Sequence, residues 1–511
     1  MSNPIKSSLF SGFIKLVVSG VFSKVISIAI TWRIAFLLID EIKTDQYFFI
    51  SSLVLLFAGL INNLDTIYVM PQTNKFITSP EHSKERNRFL LNFLKIYIAF
   101  GLLIILLLIS IKHLFYQEYY PTITFFEIAT GGLLMLLIVV FNYFNTICYY
   151  SRQFNMTAIF IVVIQAITFV ALFFSKQNIE IGVILLFQCF SYAVSILFVY
   201  QFQHHELSFL KEFFTEKWIV PKKQLIDVIK LQGGFFSAFI QNYIVVILLT
   251  SAGLGFISAY NYSNQLVSIP GQFFLSYFSI IVGVKLNNHH IHRFKSNNDD
   301  NLDLNKILRS LIVFSTVLTT AVSIFFYVNG SRLLNILFAS SGVSQSTLFY
   351  ASEFLTIIIL YLPAAVINVL FSRVLHIAHN VTQVSIVQIL FNLLLVLLSV
   401  VFSYFWGYIG IAYGITIGYN FFVFLVLPSY IQFKYPTIRV SKITILGALY
   451  FLFSIVFFNN LISVIVVENA ILKILIDAIF ILIYLIATLF VVKKYLSLNI
   501  FEWITSFVSK N

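Results

Sequence analysis

Long apolar blocks alternate with short polar breaks along the whole chain. Each block is about 20 residues long, the length at which an α-helix crosses the hydrocarbon core of a bilayer. The pattern therefore predicts an all-α polytopic membrane protein. About fourteen spans are expected, at 14–37, 46–69, 89–111, 122–149, 156–174, 181–203, 232–251, 256–283, 307–328, 350–375, 381–404, 408–431, 443–461 and 471–492.

The positive charges are distributed unevenly between the two sides of these spans. The chain is 59% hydrophobic and only 10% charged, with a net charge of +12, and this composition excludes an ordinary soluble domain. Of its 32 Lys and Arg residues, 23 fall at the two termini and in every second connection, counting Arg309 and Arg373 at the adjoining span ends. The positive-inside rule places this set in the cytoplasm, so both termini are expected there. The net positive charge is therefore explained by the membrane topology of the chain, and no nucleic-acid partner is expected.

Weak internal similarity predicts two six-helix lobes around a central cavity, with two additional C-terminal helices. The stretch "YFFISSLV" (47–54) has a counterpart in "YNYSNQLV" (260–267), and "IGV" (181–183) has one in "IGI" (409–411). Such repeats are common in transporters. The predicted domains are an N-terminal lobe, a cytoplasmic interfacial linker, a C-terminal lobe, and the last two spans with a cytoplasmic tail, at 1–203, 204–231, 232–431 and 432–511.

The first span carries three basic residues, and one of them lies where a charge is energetically unfavourable. Lys15 and Arg33 lie near its ends, where long side chains reach water. Lys24 lies half-way between them, where a cation costs at least a few kcal/mol. We therefore expect Lys24 to face a cavity and attract an anionic substrate. The alternative is a structural ion pair with Asp65, for which Lys15 is an equally good partner.

Polar amides and prolines within the spans are further candidates. Gln241, Asn242 and Asn264 can hydrogen-bond sugar hydroxyls, although amides also hold membrane helices together. Pro270 and Pro363 predict kinks that serve either as hinges or as static bends.

Three acids within or next to the spans are the candidate ion-coupling residues. These are Asp65, Glu127 and Glu353. The two glutamates lie near the predicted external surface, where simple solvation is the alternative. The histidine run "HHIHR" (289–293) lies in a polar loop without a cysteine or a close acidic partner, so no metal site is predicted.

Several stretches resemble the Wzx-type O-antigen and polysaccharide flippases of the multidrug/oligosaccharidyl-lipid/polysaccharide exporter (MOP) superfamily. Besides Arg33, the resemblance rests on "DQYFFISSLVLLFAGLINNLD" (45–65), "GFISAYNYSNQLVSIPGQFF" (255–274) and "GYIGIAYGITIGYNF" (407–421). The chain departs from the pattern at Gln46 and Ala259, where these flippases usually have a glycine before the tyrosine.

The resemblance implies a non-enzymatic flippase of the bacterial inner membrane. It would move an undecaprenyl-diphosphate-linked oligosaccharide from the cytoplasmic to the periplasmic leaflet by alternating access. Lys24 and Arg33 would attract the diphosphate, and the amides would contact the sugar. Membrane lipids, a polysaccharide polymerase and chain-length proteins would be its partners. No G-x-x-x-x-G-K-[ST] motif is present, and no cofactor is expected.

Two other functions are compatible with the sequence. An exporter of lipid II or of drugs in the same superfamily is the closer alternative. A membrane glycosyltransferase or polymerase is the enzyme alternative, and its support is the acidic stretch "DEIKTD" (40–45). The external connections are too short for the large loops that such enzymes carry.

Overall fold

The structure is a computed structural model of the full chain. It describes residues 9–65, 69, 73, 83–110, 122–150, 154–203, 207–215, 222–271, 273–274, 301–377, 381–436, 438–464, 467 and 469–496. Within these ranges the chain is helical throughout, apart from short turns, and forms no β-strand.

Sixteen α-helices account for nearly all of the described residues. They are α1 (Leu9–Leu38), α2 (Glu41–Leu64), α3 (Ser83–Ser110), α4 (Phe125–Tyr150), α5 (Phe154–Phe173), α6 (Ile181–Phe202), α7 (Lys222–Ala252), α8 (Phe256–Gly271), α9 (Asn301–Phe338), α10 (Gln345–Ile358), α11 (Leu362–Ile377), α12 (Val381–Trp406), α13 (Tyr408–Phe421), α14 (Leu427–Lys434), α15 (Ser441–Val464) and α16 (Ala470–Leu496).

Each of the fourteen predicted spans overlaps a helix in the described part of the chain. Two spans are built from helix pairs, α10 with α11 through a 3₁₀ turn and α13 with α14 through a π-helical turn. Twelve described stretches are long and apolar enough to cross a membrane. Helix α5 contributes a shorter apolar helix, Ile159–Phe173, and α8 is described over 16 residues. The all-α polytopic membrane fold is confirmed.

The first compact unit comprises Met1–Ser258, Ser341–Val343 and Ser385–Ile389. In it α1 packs mainly on α5, while α4 contacts α2, α3 and α6. Two adjacent glycines on α4 allow α2 and α3 to pack closely against it. A Cβ atom would lie 3.0 Å from Ile50 Cγ2 at Gly131, and 2.9 Å from Ile105 Cγ1 at Gly132. Small residues at such crossings are a general device of membrane helix packing.

The segment expected to form the interfacial linker is only partly helical among the described residues. A 3₁₀ turn, Ser208–Glu212, packs against α3. Leu207 and Phe209 are fully buried, whereas Phe214 is 96% exposed. Helix α7 begins at Lys222, well before the predicted start of its span at residue 232. The domain boundaries of the sequence analysis stay a prediction.

The second compact unit comprises Ala259–Ser340, Ser344–Val384 and Leu390–Asn511, and α9 packs there against α10, α11, α15 and α16. Helix α13 contacts α12 through three glycines spaced four residues apart, Gly410, Gly414 and Gly418. At Gly414 an added Cβ would lie 2.5 Å from the Cα of Ser399, so the two helix backbones touch directly.

The span formed by α10 and α11 is interrupted by a 3₁₀ turn, Ile359–Tyr361, just before Pro363. Proline lacks the N–H that would bond to the carbonyl four residues earlier, which belongs to Ile359. That carbonyl accepts instead from the N–H of Leu362 and from the hydroxyl of Ser323 on α9, the latter at 3.1 Å. The next carbonyl, of Leu360, accepts from Asn420 Nδ2 on α13, also at 3.1 Å. Neighbouring helices therefore donate hydrogen bonds to both carbonyls in the turn before the proline.

Candidate functional site

One face of α1 carries small and polar residues through its middle. Gly20, Lys24, Ser27 and Thr31 follow one another at spacings of four, three and four residues, which places them on one side of the helix. The neighbouring face is apolar and exposed, with Val25 60% accessible. The polar face thus borders a surface suited to lipid.

Lys24 is half-buried in the middle of this polar face. It lies about 21 Å from the end of α1 at Leu38, at about 1.5 Å per residue, which is too far for its side chain to reach the end. It makes neither a hydrogen bond nor an ion pair within the part of the chain that the structure describes. In particular, the structure shows no Lys24–Asp65 ion pair, and Asp65 accepts no hydrogen bond from a described residue. The ammonium group is thus available to a ligand.

Arg33, the second predicted diphosphate ligand, binds the C-terminal end of α5. Its Nε donates to the carbonyl of Leu172 at 3.1 Å, and its Nη2 donates to those of Phe173 and Ser175 at 2.9 Å each. A guanidinium is favourable there because the carbonyls at a helix end lack intrahelical partners and carry partial negative charge. Three of the five guanidinium N–H groups are used, which leaves those of Nη1 for other contacts.

The three predicted amides lie in different surroundings. On α7, Gln241 is buried, while Asn242 is exposed and donates to the carbonyl of Ala238 at 2.9 Å. On α8, Asn264 is half-buried and interacts with the hydroxyl of Tyr260, one turn earlier. The first two belong to the first unit and Asn264 to the second. Their role as sugar ligands stays a prediction.

Both candidate glutamates have hydrogen-bond partners. Glu127 is buried and accepts from the N–H of Thr124 at 2.7 Å, while Thr124 Oγ1 accepts from the N–H of Glu127 at 3.3 Å. This reciprocal pair is a capping box at the start of α4. Glu353 on α10 accepts from the hydroxyl of Tyr408 at 2.5 Å. These contacts give each glutamate a structural role in its own unit.

Both hinge candidates are buried, and Asp65 is almost inaccessible. Pro363 follows the 3₁₀ turn described above, and Pro270 lies next to the end of α8 at Gly271. Asp65 follows the last residue of α2 and is 1% exposed. The hinge and ion-coupling roles stay predictions.

The structure also shows a functional candidate that the sequence analysis did not select. Asp45, near the start of α2, is fully buried. Its carboxylate accepts from the N–H of Gly255 at 2.6 Å, from the N–H of Ser258 at 3.1 Å, and from the Ser258 hydroxyl. These groups surround the first turn of α8, where backbone N–H groups have no intrahelical acceptor. Asp45 therefore caps a helix 210 residues later in the chain, close to where the chain passes from the first unit to the second.

Replacing Asp45 with alanine should destabilise the folded protein. The N–H groups of Gly255 and Ser258 would lose their acceptor, and a buried donor without a partner costs about 1–3 kcal/mol. We expect a lower melting temperature for the purified chain in detergent, followed by tryptophan fluorescence. Ser258→Ala removes one donor and leaves the carboxylate in place, so its effect should be smaller. An Asp45→Ala protein that melts with the wild type would contradict the capping role.

A group of tyrosines in the second unit was also not predicted. The rings of Tyr361 and Tyr419 lie 5.0 Å apart, and Phe391 packs edge-on against Tyr419 at 4.7 Å. Tyr260 lies within electrostatic range of both hydroxyl groups. All three tyrosines are half-buried. The chain has 27 tyrosines, so no sequence signal distinguishes these three.

The structure also bears on the predictions about metal binding and enzyme activity. No group of three or more His, Cys, Asp or Glu side chains with metal-binding geometry occurs in the described ranges, and "HHIHR" (289–293) lies outside them. In "DEIKTD" (40–45), Asp40 caps α2 by accepting from the N–H of Ile42, and Asp45 caps α8. Both aspartates are therefore engaged in capping helices.

Comparison with solved structures identifies the fold. A lipid II flippase, MurJ, in an inward closed conformation, superposes with a TM-score of 0.65 at 16% identity, over 93% of this chain and 99% of that one. A MOP superfamily transporter from Pyrococcus furiosus gives 0.60 at 13% identity, over 89% and 97%. An outward-facing multidrug resistance MATE family transporter gives 0.58 at 13% identity, over 89% and 98%.

The chain has a MOP-like fold. No protein-family model and no curated protein matches the sequence. The resemblance to Wzx-type flippases that the sequence suggests therefore agrees with the fold at the level of the superfamily.

Proposed function

We propose that the protein is a Wzx-type flippase. It would carry a polyprenyl-diphosphate-linked oligosaccharide, an O-antigen or capsule repeat unit, across the bacterial inner membrane by ion-coupled alternating access. The single observation that carries the proposal is Lys24, a half-buried cation in the middle of a membrane-spanning helix without a partner among the described residues. An intramembrane cation is expensive unless it serves a ligand or a wet cavity.

The surroundings of Lys24 support an amphiphilic cargo. A diphosphate presents several anionic oxygens, and a charge-assisted hydrogen bond to an ammonium contributes about 1.5–3 kcal/mol. The exposed apolar face next to it, which includes Val21 and Val25, suits a polyprenyl chain. MurJ, the structural neighbour named as a lipid II flippase, gives a precedent for a lipid-linked cargo on this fold.

The sugar would be bound by aromatic and amide groups. The rings of Tyr361 and Tyr419 offer apolar faces with hydroxyls at their edges, and the Asn264 amide lies next to the Tyr260 hydroxyl. Such amphipathic groups match a sugar, which has both C–H and O–H faces. The side-chain amides of Gln241 and Asn242 would also bind the sugar.

The setting of the proposed flippase follows from the distribution of charge. The basic residues of the alternate connections support cytoplasmic termini under the positive-inside rule, and the cargo would move toward the periplasm. Membrane lipids would surround the protein, and a polysaccharide polymerase and chain-length proteins would use the product. No nucleic acid takes part.

The likeness to a multidrug MATE transporter supports a second candidate, an exporter of drugs. The charge of the candidate site distinguishes the two. A cationic drug would be repelled by Lys24, whereas an anionic lipid-linked cargo would be attracted. Lipid II also carries a diphosphate, so only a direct assay of cargo separates it from an oligosaccharide.

The experiment is reconstitution of the full chain in liposomes that contain a fluorescent polyprenyl-diphosphate oligosaccharide. A membrane-impermeant quencher reports how much label remains on the protected side. We expect the oligosaccharide to equilibrate at least ten times faster than in protein-free liposomes. Parallel liposomes would carry lipid II or a cationic dye. Movement of only the lipid II or only the dye would refute the proposal.

A further inference from the structure

The structure contains a second unpaired charge in the first unit, of opposite sign to Lys24. Asp65 is 1% exposed, and neither of its carboxylate oxygens accepts a hydrogen bond from any described residue. A carboxylate removed from water without a partner is strongly unfavourable. Some species must neutralise it in the folded protein.

The groups that surround Asp65 are oxygen-rich. Tyr97 on α3 is 1% exposed, and its hydroxyl is close enough to interact with the carboxylate of Asp65. The pair does not meet hydrogen-bond geometry, and the hydroxyl has no other partner among the described residues. Asn62 stands one turn before Asp65 on the same face of α2. Both of its amide atoms are buried and also lack partners within the described ranges.

The packing of three helices holds this cluster in place. Tyr143 on α4 is fully buried, stacks edge-to-face on Tyr97 at 5.3 Å, and donates its hydroxyl to the carbonyl of Leu90 at 2.7 Å. Helix α2 packs on α4, and α3 packs on α4. The cluster is therefore built on packed helices, and aromatic packing holds the ring of Tyr97 in place.

Among the side chains that the structure describes, no cation is placed to neutralise Asp65, and the side chain of Lys15 on α1 lies outside them. The titratable groups that interact with it are the phenols of Tyr97 and Tyr143. On α3, Lys95 lies over the ring of Phe213 at 5.4 Å. On α7, which also packs on α2, Gln232 donates its amide to the carbonyl of Leu60 at 3.2 Å.

We propose that Asp65, Tyr97 and Asn62 form a binding site for a monovalent cation, either a proton or Na⁺. A proton would turn the carboxylate into a neutral acid that can donate to the Asn62 carbonyl oxygen. Na⁺ would take the oxygens of all three side chains as ligands. Either cation removes the unpaired charge and satisfies the buried oxygens. The inference deepens the ion coupling of the proposed flippase, but cation binding itself is independent of the cargo.

The test measures binding to the purified full chain without any cargo. The melting temperature of the wild type is compared in sodium chloride and in choline chloride, and between about pH 8 and pH 6. A ligand that binds the folded state raises the melting temperature. A proton bound in the folded state has the same effect as the pH falls, because the folded protein then binds more protons than the unfolded one.

We expect the wild type to be stabilised by several degrees, by sodium if the site binds Na⁺ and by low pH alone if it binds a proton. Asp65→Asn keeps the shape of the side chain without its charge and should lose this response. Tyr97→Phe keeps the ring packing and should weaken it. Glu180→Gln neutralises an exposed acid of the same unit and should leave the response intact.

Three results would overturn the assignment. They are a wild type that responds to neither sodium nor pH, an Asp65→Asn variant with the full response, and a response lost in Glu180→Gln but kept in Asp65→Asn. If Asp65→Asn does not fold, the test rests on Tyr97→Phe. A change in melting temperature with sodium or pH as large as that of the wild type would then contradict the site. Failure of the liposome assay would leave these outcomes unaffected, so the two proposals can fail separately.

Discussion

Lys24→Ala should reduce transport of the lipid-linked oligosaccharide more than tenfold while the protein remains folded in the membrane. The expected size follows from the loss of a charge-assisted contact of about 1.5–3 kcal/mol to the diphosphate. Lys24→Arg keeps the charge and should retain part of the rate. The measurement is the fluorescent-lipid assay in liposomes, with each variant reconstituted at equal protein content.

The matched control is Lys43→Ala, which removes the same charge from the start of α2. Lys43 donates to Asn178 Oδ1 at 2.8 Å at an exposed position, so its loss should leave transport near the wild-type rate. Wild-type transport by Lys24→Ala would remove the cation from the mechanism. Equal loss in both lysine variants would point to a general effect of charge rather than to a site on α1.

Gly414→Ala should strongly impair folding. The new Cβ would lie 2.5 Å from both the Cα and the backbone nitrogen of Ser399, and backbone atoms cannot move aside as a flexible side chain can. Overpacking typically costs about 1–3 kcal/mol, and a contact with backbone belongs at the upper end. We expect little monodisperse protein by fluorescence-detected size-exclusion chromatography, and a lower melting temperature in what remains.

Gly59→Ala is the control for the same change in a helix without close contacts. No atom lies within 4 Å of the Cβ that it would add. Because alanine is favoured over glycine in a helix by about 0.5–1 kcal/mol, this variant should be as stable as the wild type or slightly more so. Similar behaviour of the two variants would show that the α12–α13 contact is looser than the structure indicates.

The spans were predictable because the bilayer imposes one dominant physical constraint. Every backbone polar group in hydrocarbon must be paired, so a stretch of about 20 apolar residues forms a helix almost regardless of its neighbours. The prediction therefore identified all fourteen helical segments. It did not place their ends, as at Lys222, because polar residues can extend a helix into water without changing the apolar pattern.

The partners of the polar residues were less predictable, because they depend on packing between distant parts of the chain. Arg33 was selected as a ligand for diphosphate, yet three of its N–H groups bind carbonyls about 140 residues later. Asp45 was considered only as part of an acidic loop, yet it caps α8. The depth of Lys24 in its helix was readable from sequence because helix geometry alone determines it.

The hydrogen bonds around Pro363 affect how this part of the protein can move. Bending this span at the proline would break two hydrogen bonds, from Ser323 to Ile359 and from Asn420 to Leu360. No water is available inside the bilayer to replace them. The α10–α11 span is therefore coupled to α9 and α13. In a large conformational change these helices would therefore move together as a rigid group. The flexibility needed for transport would have to come from connections elsewhere in the chain.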